Sequence, residues 1–226
     1  MKHRKLWLTM TVLALMTAAA SARYYSLNPQ VFMTQQRLTY MANLTPLLLH
    51  ITGGTVALTT GPFQFLTGLR GRRPILHRWL GRVYLLGALA AGVGGLLIAR
   101  IAFGGPVARI GFAVLALEML AATAVALGSI LRRRIPAHRE WMTRSYALVF
   151  VAVTFRLFLI PTFLGAPFAP VYAADAWLST IVNLLVAEVL IRRARRPRSS
   201  GARPLTGGAE TAPAARRTLG SPSSAG

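Results

Sequence analysis

The residues with the most evident chemistry come in two sets of the same order. One is His77, Arg78, Trp79, Arg82 and Tyr84 in PILHRWLGRVY; the other is His138, Arg139, Trp141, Arg144 and Tyr146 in PAHREWMTRSY. The first copy has one more residue before its histidine, and the second places Glu140 between arginine and tryptophan. Imidazole nitrogens ligate metals and carry protons near neutral pH, and the guanidinium fork matches carboxylate and phosphate. If the two copies face a shared axis, His77 and His138 would ligate one haem b iron from opposite sides while Arg82 and Arg144 pair its propionates. The same residues equally suit a membrane surface. There arginine binds lipid phosphate, tryptophan and tyrosine rings sit at headgroup level, and histidine is an ordinary loop side chain. Both readings stay open.

A second set consists of ionisable residues inside apolar stretches: His50, Glu118 and Arg156. An isolated charge in hydrocarbon is expensive and finds a partner, so Glu118 and Arg156 are expected to pair, with His50 beside them. Such a cluster serves a proton relay, a substrate contact or a structural clamp between helices. Glu188 and Asp175 fall near the ends of the last apolar stretch and read as interfacial. A third feature is Gly61-Pro62-Phe63-Gln64-Phe65, where the missing proline amide breaks or kinks a helix and Gln64 stands ready to satisfy freed carbonyls. It either lines a cavity or fits the helix to its neighbours.

The elements that position these residues are apolar helices. Of 226 residues 54% are hydrophobic, which is too much apolar surface for a soluble domain. Cysteine is absent, which excludes disulfides, thiolate metal sites and a thiol nucleophile. Six spans are expected: Leu6 to Ala22, Leu44 to Leu69, Trp79 to Ala99, Val107 to Leu131, Trp141 to Leu164 and Ala173 to Ile191. The first also reads as a signal peptide, because a basic start is followed by an apolar run ending Ala20-Ser21-Ala22. Residues 23–43, rich in tyrosine, form an extracytoplasmic loop. Residues 44–191 form a five-helix core whose hairpins, 44–99 and 107–164, are parallel repeats around a central four-helix bundle. The fold class is thus an all-α membrane protein with six transmembrane helices.

The net charge of +21 is concentrated between the spans. Sixteen basic residues fall on the side holding both termini and the two repeated turns; only Arg23, Arg37, Arg100 and Arg109 fall on the other. The positive-inside rule therefore places both termini in the cytoplasm. Residues 192–226 turn to Arg, Pro, Ser, Gly and Ala and are expected to be a disordered basic tail attracted to anionic lipid. Nucleic acid is not an expected partner, since the tail has no aromatic residue to stack on bases.

His50, Gly54, Gly61-Pro62-Phe63-Gln64-Phe65, His77-Arg78, Gly81-Arg82, Tyr84, His138-Arg139, Trp141-Met142, Arg144-Ser145 and Arg156 together resemble the bacterial predicted membrane protein family catalogued as domain of unknown function 2306. The resemblance covers Leu44 to Arg156. It implies a multi-pass protein of the bacterial cytoplasmic membrane and supplies no activity. A broader likeness is to haem-carrying b561-type membrane cytochromes. Those place two histidine pairs on four helices, whereas this chain has His50, His77, His138 and the terminal His3. Three function classes follow: a haem b electron-transfer protein using His77 and His138, a proton or small-molecule transporter using His50, Glu118 and Arg156, and a non-catalytic component that binds lipid or a partner. No phosphate-binding glycine loop, H-E-x-x-H or G-x-S-x-G is present to indicate a soluble enzyme.

Overall fold

The structure is a computed structural model and describes residues 2–195. Its regular elements among these residues are all helical: α1 (Lys2–Ser21), α2 (Arg37–Met41), α3 (Leu44–Gln64), α4 (Thr67–Arg72), α5 (Pro74–Ala99), α6 (Gly105–Leu131), α7 (Ile135–Phe158), α8 (Ile160–Phe163) and α9 (Phe168–Arg195). Two short 3₁₀ turns, Ala22–Ser26 and Pro29–Val31, lie between α1 and α2.

Prolines mark where the helices begin. Pro74, Pro106 and Pro136 occupy the first or second position of α5, α6 and α7, where a missing amide leaves no bond unmade. The α5–α6 turn needs left-handed backbone at two consecutive residues and uses Gly104 and Gly105, at φ 89° and 75°. The α6–α7 turn instead places Arg133 at φ 57°, and the Arg133 and Arg134 amides donate back to the Ile130 and Ser129 carbonyls. This is the C-terminal closure that usually takes glycine.

Five segments are long and apolar enough to cross a membrane: Arg4–Ser26, Pro74–Ala99, Gly105–Leu131, Ile135–Phe163 and Phe168–Arg195. Of the six expected spans, α3 is the one outside this set. Its threonines, glycines, His50, Pro62 and Gln64 dilute the apolar run, and several of them turn inward, because α3 is packed by α1, α5 and α7. The large apolar side chains left exposed, among them Leu8, Leu86, Leu89, Leu117, Leu178 and Leu185, lie on the outward faces of the surrounding helices. An apolar exterior is what a bilayer requires.

Contact between α3 and α5 is made backbone to backbone. A Cβ at Gly53 would lie 2.4 Å from the Ala91 amide nitrogen and 2.6 Å from the Gly87 carbonyl oxygen. One at Gly94 would lie 2.5 Å from the His50 nitrogen. The opposite side of α5 receives α6, where Gly92 leaves room for Leu120 and Met119. The small-residue stripes of α5 thus serve two neighbours, which is how helices associate when lipid supplies no hydrophobic drive. α6 and α7 pack as the next pair, and α9 lies along both of them.

Several boundaries differ from expectation. α3 runs through Pro62 and ends at Gln64, short of Leu69, and α4 forms a separate turn. α7 ends at Phe158 because Pro161 has no amide to bond the Leu157 carbonyl and its ring crowds that turn. α9 begins at Phe168, five residues early, since Pro170 is its third residue and a first-turn amide is dispensable. It continues to Arg195, past the expected start of the tail at 192; the tail beyond residue 195 lies outside the described residues. α1 is part of the bundle, with Ala14 and Ala18 buried and the Trp7 indole donating to the Pro62 carbonyl at 2.9 Å.

Gly53→Leu forces its side chain into backbone that cannot yield. It is expected to cost about 1–3 kcal/mol and lower the thermal unfolding midpoint in detergent. A Cβ at Gly54 meets nothing within 4 Å, so Gly54→Ala should leave the midpoint unchanged or raise it.

Candidate functional site

Both repeated motifs begin a helix, so equivalent residues take equivalent positions on α5 and α7. The Arg82 guanidinium lies 4.8 Å from the Trp79 ring centre and that of Arg144 lies 4.6 Å from the Trp141 ring centre, the same cation–π stack twice. The environments then diverge. Arg82 and Trp79 are exposed on the flank of α5, whereas Arg144 donates from Nε to Glu188 of α9 at 2.6 Å. Arg144 is therefore held by a carboxylate of its own chain. Arg195, at the end of α9, pairs in turn with Glu140 of the second motif.

The two motif histidines come close at this basic end of the bundle. His77 is within electrostatic range of His138 and Arg70. His138 Nδ1 is 2.8 Å from the Ala126 carbonyl, so it carries the proton and Nε2 is left as an acceptor. His77 Nδ1 is buried without a partner among the described residues. Arg70, on α4 outside the helices long enough to span, is held below the ordinary arginine range first by burial and then by Arg139. Imidazole and guanidinium groups from both turns thus converge here.

The motif tyrosines point into the core. Tyr84 is fully buried and its hydroxyl is 2.8 Å from Ser145 Oγ, which is 2.9 Å from Thr123 Oγ1; Thr123 donates to the Met119 carbonyl. This chain of hydroxyls joins α5, α6 and α7. Tyr146 packs 6.3 Å from Tyr84, ring centre to ring centre, but its hydroxyl has no partner among the described residues. Gly61 makes this possible, since a Cβ there would lie 2.1 Å from the Tyr146 ring. The Gly61-Pro62 region is accordingly filled by an aromatic ring, with Pro62 and Gln64 buried around it.

His50, Glu118 and Arg156 are not brought together as one cluster. His50 Nδ1 lies 2.8 Å from the Ala91 carbonyl and its ring fills the groove beside Gly95, so it joins α3 to α5. Arg156 is within electrostatic range of His50 but donates to the Ala152 carbonyl at 2.6 Å and to Ser21 Oγ at 3.0 Å, tying α7 to the end of α1. The expected Arg156–Glu118 pair does not form, and depth explains why. With α7 ending at Phe158, Arg156 sits in the last turn, where a cation meets the negative end of the helix dipole. Glu118 is about 20 Å into α6 at helical rise, near its middle. Its Oε2 is buried without a partner among the described residues.

Asp175 is also placed otherwise than expected. It is 2% exposed, and neither carboxylate oxygen has a partner among the described residues. The early start of α9 moves it about 10 Å from the helix end, and Pro170 was the sequence feature that signalled that start. Cavities of about 250 and 500 Å³ open at the far end of the bundle from the basic turns, beside α2 and the α5–α6 turn.

These elements define an all-helical integral membrane protein with polar groups at both ends and along its helix contacts. The chain belongs to the family described as Predicted membrane protein (DUF2306), whose family model matches residues 47–191. No curated protein and no solved structure matches it.

The two motif tyrosines should respond differently to loss of the hydroxyl. Tyr84→Phe breaks a satisfied buried chain and should cost about 1 kcal/mol, whereas Tyr146→Phe removes an unpartnered oxygen and should be neutral or stabilising. Denaturant unfolding in detergent micelles distinguishes them.

Proposed function

We propose that the chain is a six-span protein of the bacterial cytoplasmic membrane, with both termini in the cytoplasm and two parallel hairpin repeats, α3–α5 and α6–α7, at its centre. The first turns of α5, through Trp79 and Arg82, bind the phosphate of anionic lipid headgroups. α3, with 21 residues, is long enough to cross about 30 Å of hydrocarbon and is the sixth span, shielded from lipid by its neighbours. The excess of arginine at the repeated turns sets the orientation.

One observation carries the lipid reading. The repeated Trp–Arg stack is tied to Glu188 in the second copy and lies exposed and without an ion-pair partner among the described residues in the first. A tryptophan at headgroup level holding a guanidinium toward the aqueous phase is a phosphate receptor of the membrane surface. Native mass spectrometry of the detergent-released protein, titrated with phosphatidylglycerol, tests it. Arg82→Ala should lose most of the anionic-lipid adducts while Arg144→Ala keeps them; equal retention in both variants would sink the reading.

A second reading has its own support. His138 is oriented by a carbonyl with Nε2 free, as an axial ligand requires, and His77 Nδ1 beside it is unsatisfied. His77 and His138 would hold a haem b that supplies one-electron redox chemistry. Arg70 and Arg139, the basic groups within electrostatic range of this end, would pair its propionates. Absorption spectra of protein from haem-replete cells decide the matter: a Soret band lost in His77→Ala with His138→Ala supports haem, and a colourless wild type excludes this reading.

A further inference from the structure

Where α9 passes α6 and α7, its inward face is polar through much of the bundle. Asp175, Ser179, Thr180 and Asn183 are all buried there, at steps of four, one and three residues that keep them within one side of the helix. Asn183 Oδ1 accepts from Thr154 of α7 at 2.9 Å, while its Nδ2 has no partner among the described residues. On α6, Gly111 faces Ala176 and Trp177 of α9, and Glu118 lies seven residues, or two turns, further along the same face. Three polar groups on one helix interface, Asp175, Asn183 and Glu118, thus have atoms without a hydrogen-bond partner among the described residues. Buried polar groups are normally satisfied, and an ionisable group within a membrane marks a site of function.

Asp175 is the most enclosed of the three. Above it, Tyr172 is packed among Phe103, Phe112, Phe155 and Phe168, with ring centres 5.2 to 6.3 Å away. This aromatic group separates Asp175 from the 250 Å³ cavity lined by Gln36, Tyr40, Gly104 and Arg109. The cavity reaches nearly to Tyr172, since a Cβ at Gly104 would lie 3.4 Å from the Tyr172 ring. Tyr172 is itself within electrostatic range of both Tyr40 and Asp175.

No cation neutralises Asp175 among the described residues. On α6, Arg109 donates to the Ala102 carbonyl at 3.2 Å and Glu118 is itself acidic. On α7, Arg156 is committed to Ser21 and Ala152. Toward the cavity lie Tyr172 and, on α2, Tyr40 with Tyr24 in electrostatic range; Arg37 of α2 has a buried Nε without a partner among the described residues. An ionised carboxylate left unpaired at this burial is strongly disfavoured. The Ser179 hydroxyl donates to the Asp175 backbone carbonyl at 2.6 Å, so its proton is not committed to the carboxylate.

We propose that Asp175 is a proton-binding carboxyl group inside the membrane, exchanging its proton with the cavity beside α2 and standing at the head of a polar seam that leads along α9 to Asn183 and Glu118. The carboxyl O–H bond forms as an O–H bond of a hydronium ion from the cavity breaks, leaving water, and the reverse step returns the proton. No oxidant or co-reactant takes part. This site is separate from the basic turns, and it does not depend on which side of the membrane the cavity faces.

Dicyclohexylcarbodiimide tests it, because this apolar reagent adds as a whole molecule to protonated carboxyl groups in apolar surroundings. Full-length protein in liposomes is labelled across a pH series and the adducts are mapped by peptide mass spectrometry, for wild type, Asp175→Asn and Glu118→Gln. The expected result is an adduct on Asp175 that declines as pH rises, vanishes in Asp175→Asn and survives in Glu118→Gln. Absence of the adduct in folded wild-type protein at acid pH would overturn the proposal. So would protection by sodium at constant pH, which would make the group a metal-cation site instead. The readout is taken on wild type, so poor folding of a variant cannot decide it.

Discussion

The approach of α3 to α5 is the constraint from which the remaining packing follows. Where Gly53 meets Gly87 and Ala91, and where Gly94 meets His50, backbone atoms occupy the space that side chains would otherwise take. In lipid such contacts replace hydrophobic burial as the source of association, because leaving the bundle gains an apolar side chain nothing. With α3 held this closely, the next face of α5 presents Gly92 to α6, and Gly61 brings the Tyr146 ring onto the backbone of α3. His50 belongs to the same arrangement. Its imidazole sits beside Gly95 and bonds the Ala91 carbonyl, so a residue with catalytic capacity is used as a crosslink between helices.

The repeated motif has two ends with different physical roles. Its tryptophan and arginine stack near the surface, while its tyrosine reaches the interior, where Tyr84 enters a chain of hydroxyls with Ser145 and Thr123. Hydrogen bonds of this kind locate three helices relative to one another without requiring a charge in the apolar layer. The copies are not interchangeable: Arg144 has Glu188 and Tyr84 has Ser145, whereas their counterparts Arg82 and Tyr146 have no such partners among the described residues. Of the two copies, α9 engages the second, through Glu188 with Arg144 and Arg195 with Glu140.

The long apolar helices were legible in the sequence because every amide in lipid must be bonded within its own segment, which leaves the helix as the default. Their ends were less so, and the ends decide the chemistry. Arg156 looks deep if α7 continues to Leu164, but Pro161 stops the helix at Phe158 and leaves the arginine in its last turn. Asp175 looks interfacial if α9 begins at Ala173, yet helix extending back to Phe168 encloses it. Each error is a shift of five or six residues, about 8 Å along a helix, enough to separate an ion pair or bury a carboxyl group. The α3–α5 interface was readable only in kind. Small residues at four-residue spacing announce close contact, but which stripe faces α3 and which α6 depends on neighbours that composition does not reveal.

α1 is secured at its two ends by residues far away in the chain: Trp7 by the Pro62 carbonyl, 55 residues on, and Ser21 by Arg156, 135 residues on. During synthesis the chain emerges in order, so the first helix enters the bilayer long before either fastening exists. Its polar indole and hydroxyl must then be content with lipid headgroups or their own helix, as Ser21 is with the Thr17 carbonyl. Seating of α1 thus waits for α7, so the helix that enters the bilayer first is fastened at its far end only after the helices between them are in place.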